Sequence, residues 1–144
     1  MDERARRENR PYKVSVFRGN VALNEGLQQL IDDAIIGSGG LTKWNNASAR
    51  LGVGNSSAAE DPTQTALQGA TTAFKAMDVT FPSRSAQTCT WRVTFTGAEA
   101  NQVWAEMTVD NGAVALINLN REVSAQGTKT SGQTWEMTLT ITFS

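Results

Sequence analysis

Trp135-Glu136-Met137-Thr138-Leu139-Thr140-Ile141-Thr142-Phe143 is the stretch whose reading decides the fold class. Trp135, Met137, Leu139, Ile141 and Phe143 alternate with Glu136, Thr138, Thr140 and Thr142, the period of a β-strand with one face buried. A slip of one register would turn all five apolar side chains to water. At ~1.5–3 kcal/mol for each large apolar side chain, that face is worth on the order of 10 kcal/mol before chain entropy is charged. The pattern predicts a core strand whose inward side chains are committed to packing, and it directs the search for function to the loops and to the other end of the chain.

Working outward, the same alternation returns in Cys89, Trp91, Val93 and Phe95, set against Thr88, Thr90, Arg92, Thr94 and Thr96. Val103 to Val109 predicts a further strand, Asp110-Asn111-Gly112 a turn, and Ala113 to Val123 its return. Phe74 to Phe81 reads as a strand stopped by Pro82 and Ser83-Arg84-Ser85. Ala49-Arg50-Leu51-Gly52-Val53-Gly54 reads as a short strand with close backbone approach at its glycines, and Tyr12, Val14 and Val16 mark another. Asp61-Pro62 offers the start of a helical turn running to Leu67.

One helix interrupts this series. Asn24 is placed to cap it, and Leu27, Leu30, Ile31, Ala34 and Ile35 form a single apolar stripe before Gly37-Ser38-Gly39-Gly40 stops the coil. Runs of strands after one helix, with no β-α-β rhythm, predict a mostly β fold: an antiparallel β-sandwich, jelly-roll-like, or a partly closed barrel, with one short amphipathic helix near the N-terminus. The 144 residues suffice for one domain with its own core, taken as 12–144, preceded by a charged arm at 1–11 that holds almost nothing to bury.

The chemistry on offer is sparse. The chain has no histidine, which removes the commonest general base near neutral pH and the Ser-His and Cys-His nucleophilic designs. Its single cysteine, Cys89, lies in a strand and reads as a small buried hydrophobe. Glu99, Glu106, Asp110, Glu122 and Glu136 are candidates for a glycosidase carboxylate pair, yet none sits in a motif. Asp32-Asp33 and Glu60-Asp61 read as solvated surface, and the glycine clusters lack the lysine of a phosphate loop. No cofactor, metal site or catalytic residue is predicted. No apolar run approaches the ~20 residues of a membrane helix, and the first residues lack the apolar middle of a secretory signal, so an intracellular product without a membrane partner is expected.

Two features invite a functional reading. Trp44 stands in a polar loop as a candidate glycan contact, whereas Trp91 and Trp135 share the apolar parity of their strands and belong to the core. The formal net charge of −1 hides an asymmetry: Arg4, Arg6, Arg7, Arg10, Lys13 and Arg18 crowd the start of the chain, interleaved with Asp2, Glu3 and Glu8. Arg4, Arg6, Arg7 and Arg10 are candidate assembly contacts. Such an arm admits three readings: a solvated tail, a docking segment for a protein neighbour or, less favoured by its interleaved acids, a nucleic-acid contact.

The order of segments resembles small structural proteins of tailed bacteriophages. Arg18-Gly19-Asn20-Val21-Ala22-Leu23-Asn24-Glu25-Gly26-Leu27 is similar to their phrase before a short helix, Ala49 to Ser56 to their glycine-spaced strand, Val103-Trp104-Ala105-Glu106-Met107 to their W-x-E strand, and Trp135 to Phe143 to their Thr-rich strand. Met107-Thr108-Val109 stands where those proteins commonly carry a more glycine-containing segment. The resemblance spans about residues 14–144. It implies a β-sandwich-like fold and a non-enzymatic place in a virion made in a bacterial cytoplasm, as a tail-fibre, collar, neck or capsid-surface component. The partners it implies are other virion proteins and further copies of the chain; the competing expectation is a carbohydrate- or receptor-binding tail-tip module.

Overall fold

The computed structural model describes residues 20–33, 42–112 and 116–143. The arginine arm, the strand expected at Tyr12 to Val16, the end of the expected helix with Ala34 and Ile35, and the glycine cluster after it lie outside the described residues. Among the described residues eight strands and one helix follow in the order β1 (Val21–Ala22), α1 (Asn24–Ile31), β2 (Arg50–Gly54), β3 (Thr72–Ala76), β4 (Ser83–Ser85), β5 (Thr88–Phe95), β6 (Val103–Asp110), β7 (Asn120–Thr128) and β8 (Trp135–Thr142).

The strands form two antiparallel sheets, β1-β7-β6-β2-β3 and β4-β5-β8, which are not closed into a barrel. Alternation places the side chains between them: Leu51, Val53, Trp104, Met107 and Val109 from the larger sheet meet Trp91, Val93, Phe95, Met137 and Leu139 from the smaller. Trp104 sits at the centre of an aromatic row, edge-on to Phe95 at 5.1 Å and to Trp135 at 5.0 Å between ring centroids. The fold is thus the mostly β, sandwich-like arrangement that the alternating strands predict.

The long strands fall where the alternation puts them, and the differences have local causes. The strand expected from Phe74 to Phe81 ends at Ala76, because Asp78 turns the chain towards β5. Its N–H donates to Arg92 O, and its carboxylate accepts from Thr94 N and Thr94 Oγ1. Ser83–Ser85, expected to be a stop, is itself a short strand on the edge of β5. Asp61-Pro62 starts no helix: the Asp61 carboxylate accepts from Thr63 N and Oγ1, a local bond that competes with helical continuation. The return strand of the β6 hairpin is Asn120–Thr128, displaced towards the C-terminus from the expected Ala113 to Val123, of which residues 113–115 lie outside the described residues. Asn111 Oδ1 accepts from Ile117 N and the Asp110 carboxylate from Gly112 N, so side chains hold a wider loop.

The helix is corrected in two ways. Asn24 does not cap it: Leu23, extended and fully buried, stands at the cap position, and the Asn24 N–H is taken by Pro62 O at 2.8 Å. Of the expected apolar stripe, Leu30 packs against the core, but its neighbours do not follow it. Leu27 is 41% and Ile31 46% exposed, while Gly26 and Gln29 are buried. The helix lies on the main chain leading into β7, where a Cβ on Gly26 would stand 2.6 Å from Leu119 Cα. Only the side without a side chain can approach so closely.

β8 also departs from expectation. Met137 and Leu139 are in the core and Trp135 and Ile141 pack against it, but Phe143 is 50% exposed. Among the described residues β8 pairs with β5 alone and forms an edge of the smaller sheet.

Candidate functional site

The five carboxylates singled out for acid–base work occupy separate environments, and four of them are ion-paired. Glu106 is wholly buried on β6, opposite β7. Its Oε2 accepts from Arg121 Nε at 2.7 Å and from Gln68 N at 2.9 Å, and its Oε1 accepts from Gly69 N at 2.6 Å. Arg121, equally buried, donates its remaining N–H groups to Ala58 O, Ala59 O and Gln64 Oε1. A fully hydrogen-bonded ion pair therefore ties the 55–71 loop to the larger sheet.

Asp110 takes a two-pronged contact from Arg50, at 3.1 and 2.7 Å. Glu99 accepts from Lys75 Nζ and from the N–H and hydroxyl of Thr96, which hold its carboxyl down to about 2. Glu136 lies 3.9 Å from Arg92 Nη1, and Arg92 Nε also reaches Asp78 at 3.2 Å. These contacts tie each of the three carboxylates to a structural partner.

Glu122 differs. Burial on β7, and secondarily the charge of Glu60, push its carboxyl up to about 7. Glu60 is not free surface, because its Oε1 accepts the Val123 N–H at 2.6 Å. The Glu122 carboxyl can hold or release a proton near neutrality. It lies on the strand that β1 joins, with Val21 opposite Arg121 and Asn20 Oδ1 accepting from Asn120 Nδ2. Of the other acid pair, Asp33 is also engaged, 3.1 Å from Lys43 Nζ.

Trp44 is the clearest correction among the site residues. It is 8% exposed, its Nε1 donates to Ile117 O at 3.1 Å, and its carbonyl accepts from Trp91 Nε1 at 3.0 Å. The ring closes one end of the core, so its face is unavailable to a sugar. The polar neighbours that suggested a surface loop cover it only in sequence. Arg4, Arg6, Arg7 and Arg10 lie outside the described residues. Cys89 is half-buried and free, and burial raises its thiol pKa.

No protein-family model, no curated protein and no solved structure matches the chain. Among the described residues no group of three or more His, Cys, Asp or Glu side chains is placed to hold a metal ion, and no helix is long and apolar enough to cross a membrane.

Sequence reasoning missed the cations that organise the domain: Arg121, Arg50 and Lys129. Lys129 is buried, with Nζ donating to Thr96 O, Glu99 O and Asn101 Oδ1. A usable signal existed for one of them. Glu106 and Arg121 stand on opposite arms of an expected hairpin, each inside a strand-like run, and charges so placed need each other.

Proposed function

We propose that this chain is a non-enzymatic structural component of a tailed-bacteriophage particle, either a capsid decoration or cement protein or a neck or tail attachment piece. Its partners in this reading are other virion proteins and its own copies, engaged through the β-domain and the charged arm with Arg4, Arg6, Arg7 and Arg10. The observation that carries the reading is how the segments of the resemblance interlock. The Ala49 to Ser56 piece is hydrogen-bonded along β6, with Gly54 opposite Glu106 of the W-x-E strand. Gly26 of the helix phrase lies on Leu119 at the approach to β7. The ion pair of Glu106 and Arg121 then binds a long loop to this frame. Its carboxylates serve the frame rather than a cleft, which suits a part whose work is to hold shape. Repeated copies on a shell or tail bind together through multivalency even where each contact is weak.

Mass spectrometry and cryo-EM of purified particles from the encoding phage test this reading. The chain is expected in the particle: hundreds of copies mark a decoration protein, a dozen or fewer a neck or tail part. Its absence from particles ends the proposal. Deleting residues 1–11 is expected to abolish incorporation while the domain stays folded, and truncated chain at normal occupancy would remove the arm from the assembly mechanism.

A further inference from the structure

Among the described residues the β8 edge is long, regular and uncovered. Eight successive residue pairs join it to β5 without a bulge, from Thr88 opposite Thr142 to Phe95 opposite Trp135. It contains no proline and no lysine, and its one charge is Glu136. Protein sheet edges ordinarily carry such devices because an open row of N–H and C=O groups templates another strand. The ladder also fixes which groups face outward. Phe143 N donates to Gln87 O on the β5 side, so odd-numbered residues of β8 point their main-chain groups at β5. Glu136, Thr138, Thr140 and Thr142 turn theirs to the open edge.

We propose that β8 pairs with β8 of a second copy of this chain, antiparallel and symmetric about Leu139, joining two three-stranded sheets into one continuous six-stranded sheet.

The register follows from self-complementarity. With Leu139 opposite its twin, Thr138 faces Thr140 of the second copy and Glu136 faces Thr142, so the four outward residues of each strand form hydrogen-bonded pairs. Glu136 meets a threonine and never its own copy, which avoids like charges in direct opposition. Threonines already face one another across β5 and β8, where the Thr88 and Thr142 hydroxyls lie 2.8 Å apart. On the core-facing side the same register sets Phe143 opposite Trp135 of the second copy. Phe143, half exposed just beyond the end of β8, and the half-buried ring of Trp135 thus cover each other.

A strand pairing of this length buries on the order of 800 Å² in total, the low end of specific interfaces, so a reversible dimer is expected rather than an obligate one. The pairing rests on strand geometry alone and does not depend on the virion reading. Its test uses isolated protein, so the two fail separately.

Sedimentation of the purified full-length chain across a concentration range is expected to show a monomer–dimer equilibrium. Thr140→Pro removes one outward N–H, a substitution that an open edge tolerates. It should leave a folded monomer at every concentration, with unchanged circular dichroism. Should proline unfold the chain, the Thr138→Lys/Thr140→Lys double variant sets lysines against each other across the proposed interface and should give the same monomer. In wild-type protein, hydrogen exchange at the Thr138 and Thr140 amides should slow as concentration rises. A wild-type monomer at all concentrations would overturn the proposal, as would undiminished dimer in both variants. Concentration-independent protection of those amides would also overturn it and assign the edge to the chain's own residues, Tyr12 to Val16 foremost.

Discussion

At the scale of single residues, the stability of this domain turns on charges that composition alone would place in solvent. Glu106 and Arg121 are both fully buried, and every oxygen of the one and every N–H branch of the other has a partner. Two ions removed from water are tolerated only when so paired, and removing one leaves the other uncompensated. Glu106→Gln keeps the shape and deletes the charge, so Arg121 would remain buried without its counter-ion. Urea unfolding is expected to show a loss of about 3–5 kcal/mol, the usual cost of breaking a buried pair from one side. A loss under about 1 kcal/mol, typical of exposed pairs, would mean that the pair is solvated in solution. Sequence alone offered these residues only as a carboxylate candidate and an unremarked arginine. Trp44 failed in the opposite direction, because polar neighbours in the chain disguise a ring buried against strands far away in sequence. Burial is a property of tertiary neighbours, and for an isolated loop residue no periodicity reports it.

At the scale of elements, alternation was a faithful guide where a strand buries one face. β5 and β8 stand within a residue or two of their expected ends because a slip would expose a whole apolar row. It was a poor guide where side chains other than the strand's own decide the outcome. β4 has no apolar face and exists by pairing with β5. The helix had a legible stripe, of which Leu30 packs against the core, yet it buries Gly26 and Gln29 and leaves Leu27 and Ile31 exposed, because Gly26 lies on main chain at Leu119. That inversion makes a sharp prediction. Gly26→Ala should raise intrinsic helix propensity by about 1 kcal/mol. The added Cβ would nevertheless fall within 2.6 Å of Leu119 Cα, an immovable backbone atom. The helix must lift, loosening the Glu25 bond to Asn118 N. Net destabilisation of about 1–3 kcal/mol is expected, as for other overpacked sites, and should be visible as a lowered thermal midpoint. A raised midpoint would show that helix propensity outweighs the contact.

At the scale of the whole molecule, the sequence carried the fold class but not which strands are neighbours, since alternation says that a face is buried and not against what. The partition into sheets of five and three, and with it the openness of β8, emerges only from pairing. The same is true of the electrostatics, where distant residues set opposing trends with pH. Glu99 is held down to about 2 by Lys75 and Thr96, so its stabilising contribution is present above the ordinary 4.5 and is lost as pH falls towards 2. Asp61, lowered by its bonds to Thr63, acts in the same sense. Glu122 runs the other way. Its carboxyl is raised from 4.5 to about 7, so the folded state is favoured while the group stays protonated, and that advantage is lost as pH rises from 4.5 through 7. Stability should therefore climb from pH 2 to about 4.5 and decline again across neutrality, a profile shifted to acid relative to most domains. Glu122→Gln retains a neutral side chain of the same shape at every pH. It should match wild type at pH 4 and exceed it at pH 8 by on the order of 1 kcal/mol, the pKa displacement discounted for the group's partial contact with water. Chemical denaturation of both proteins at pH 4, 6 and 8 reads the difference directly. Parallel curves for the two proteins would dissociate Glu122 from the alkaline decline.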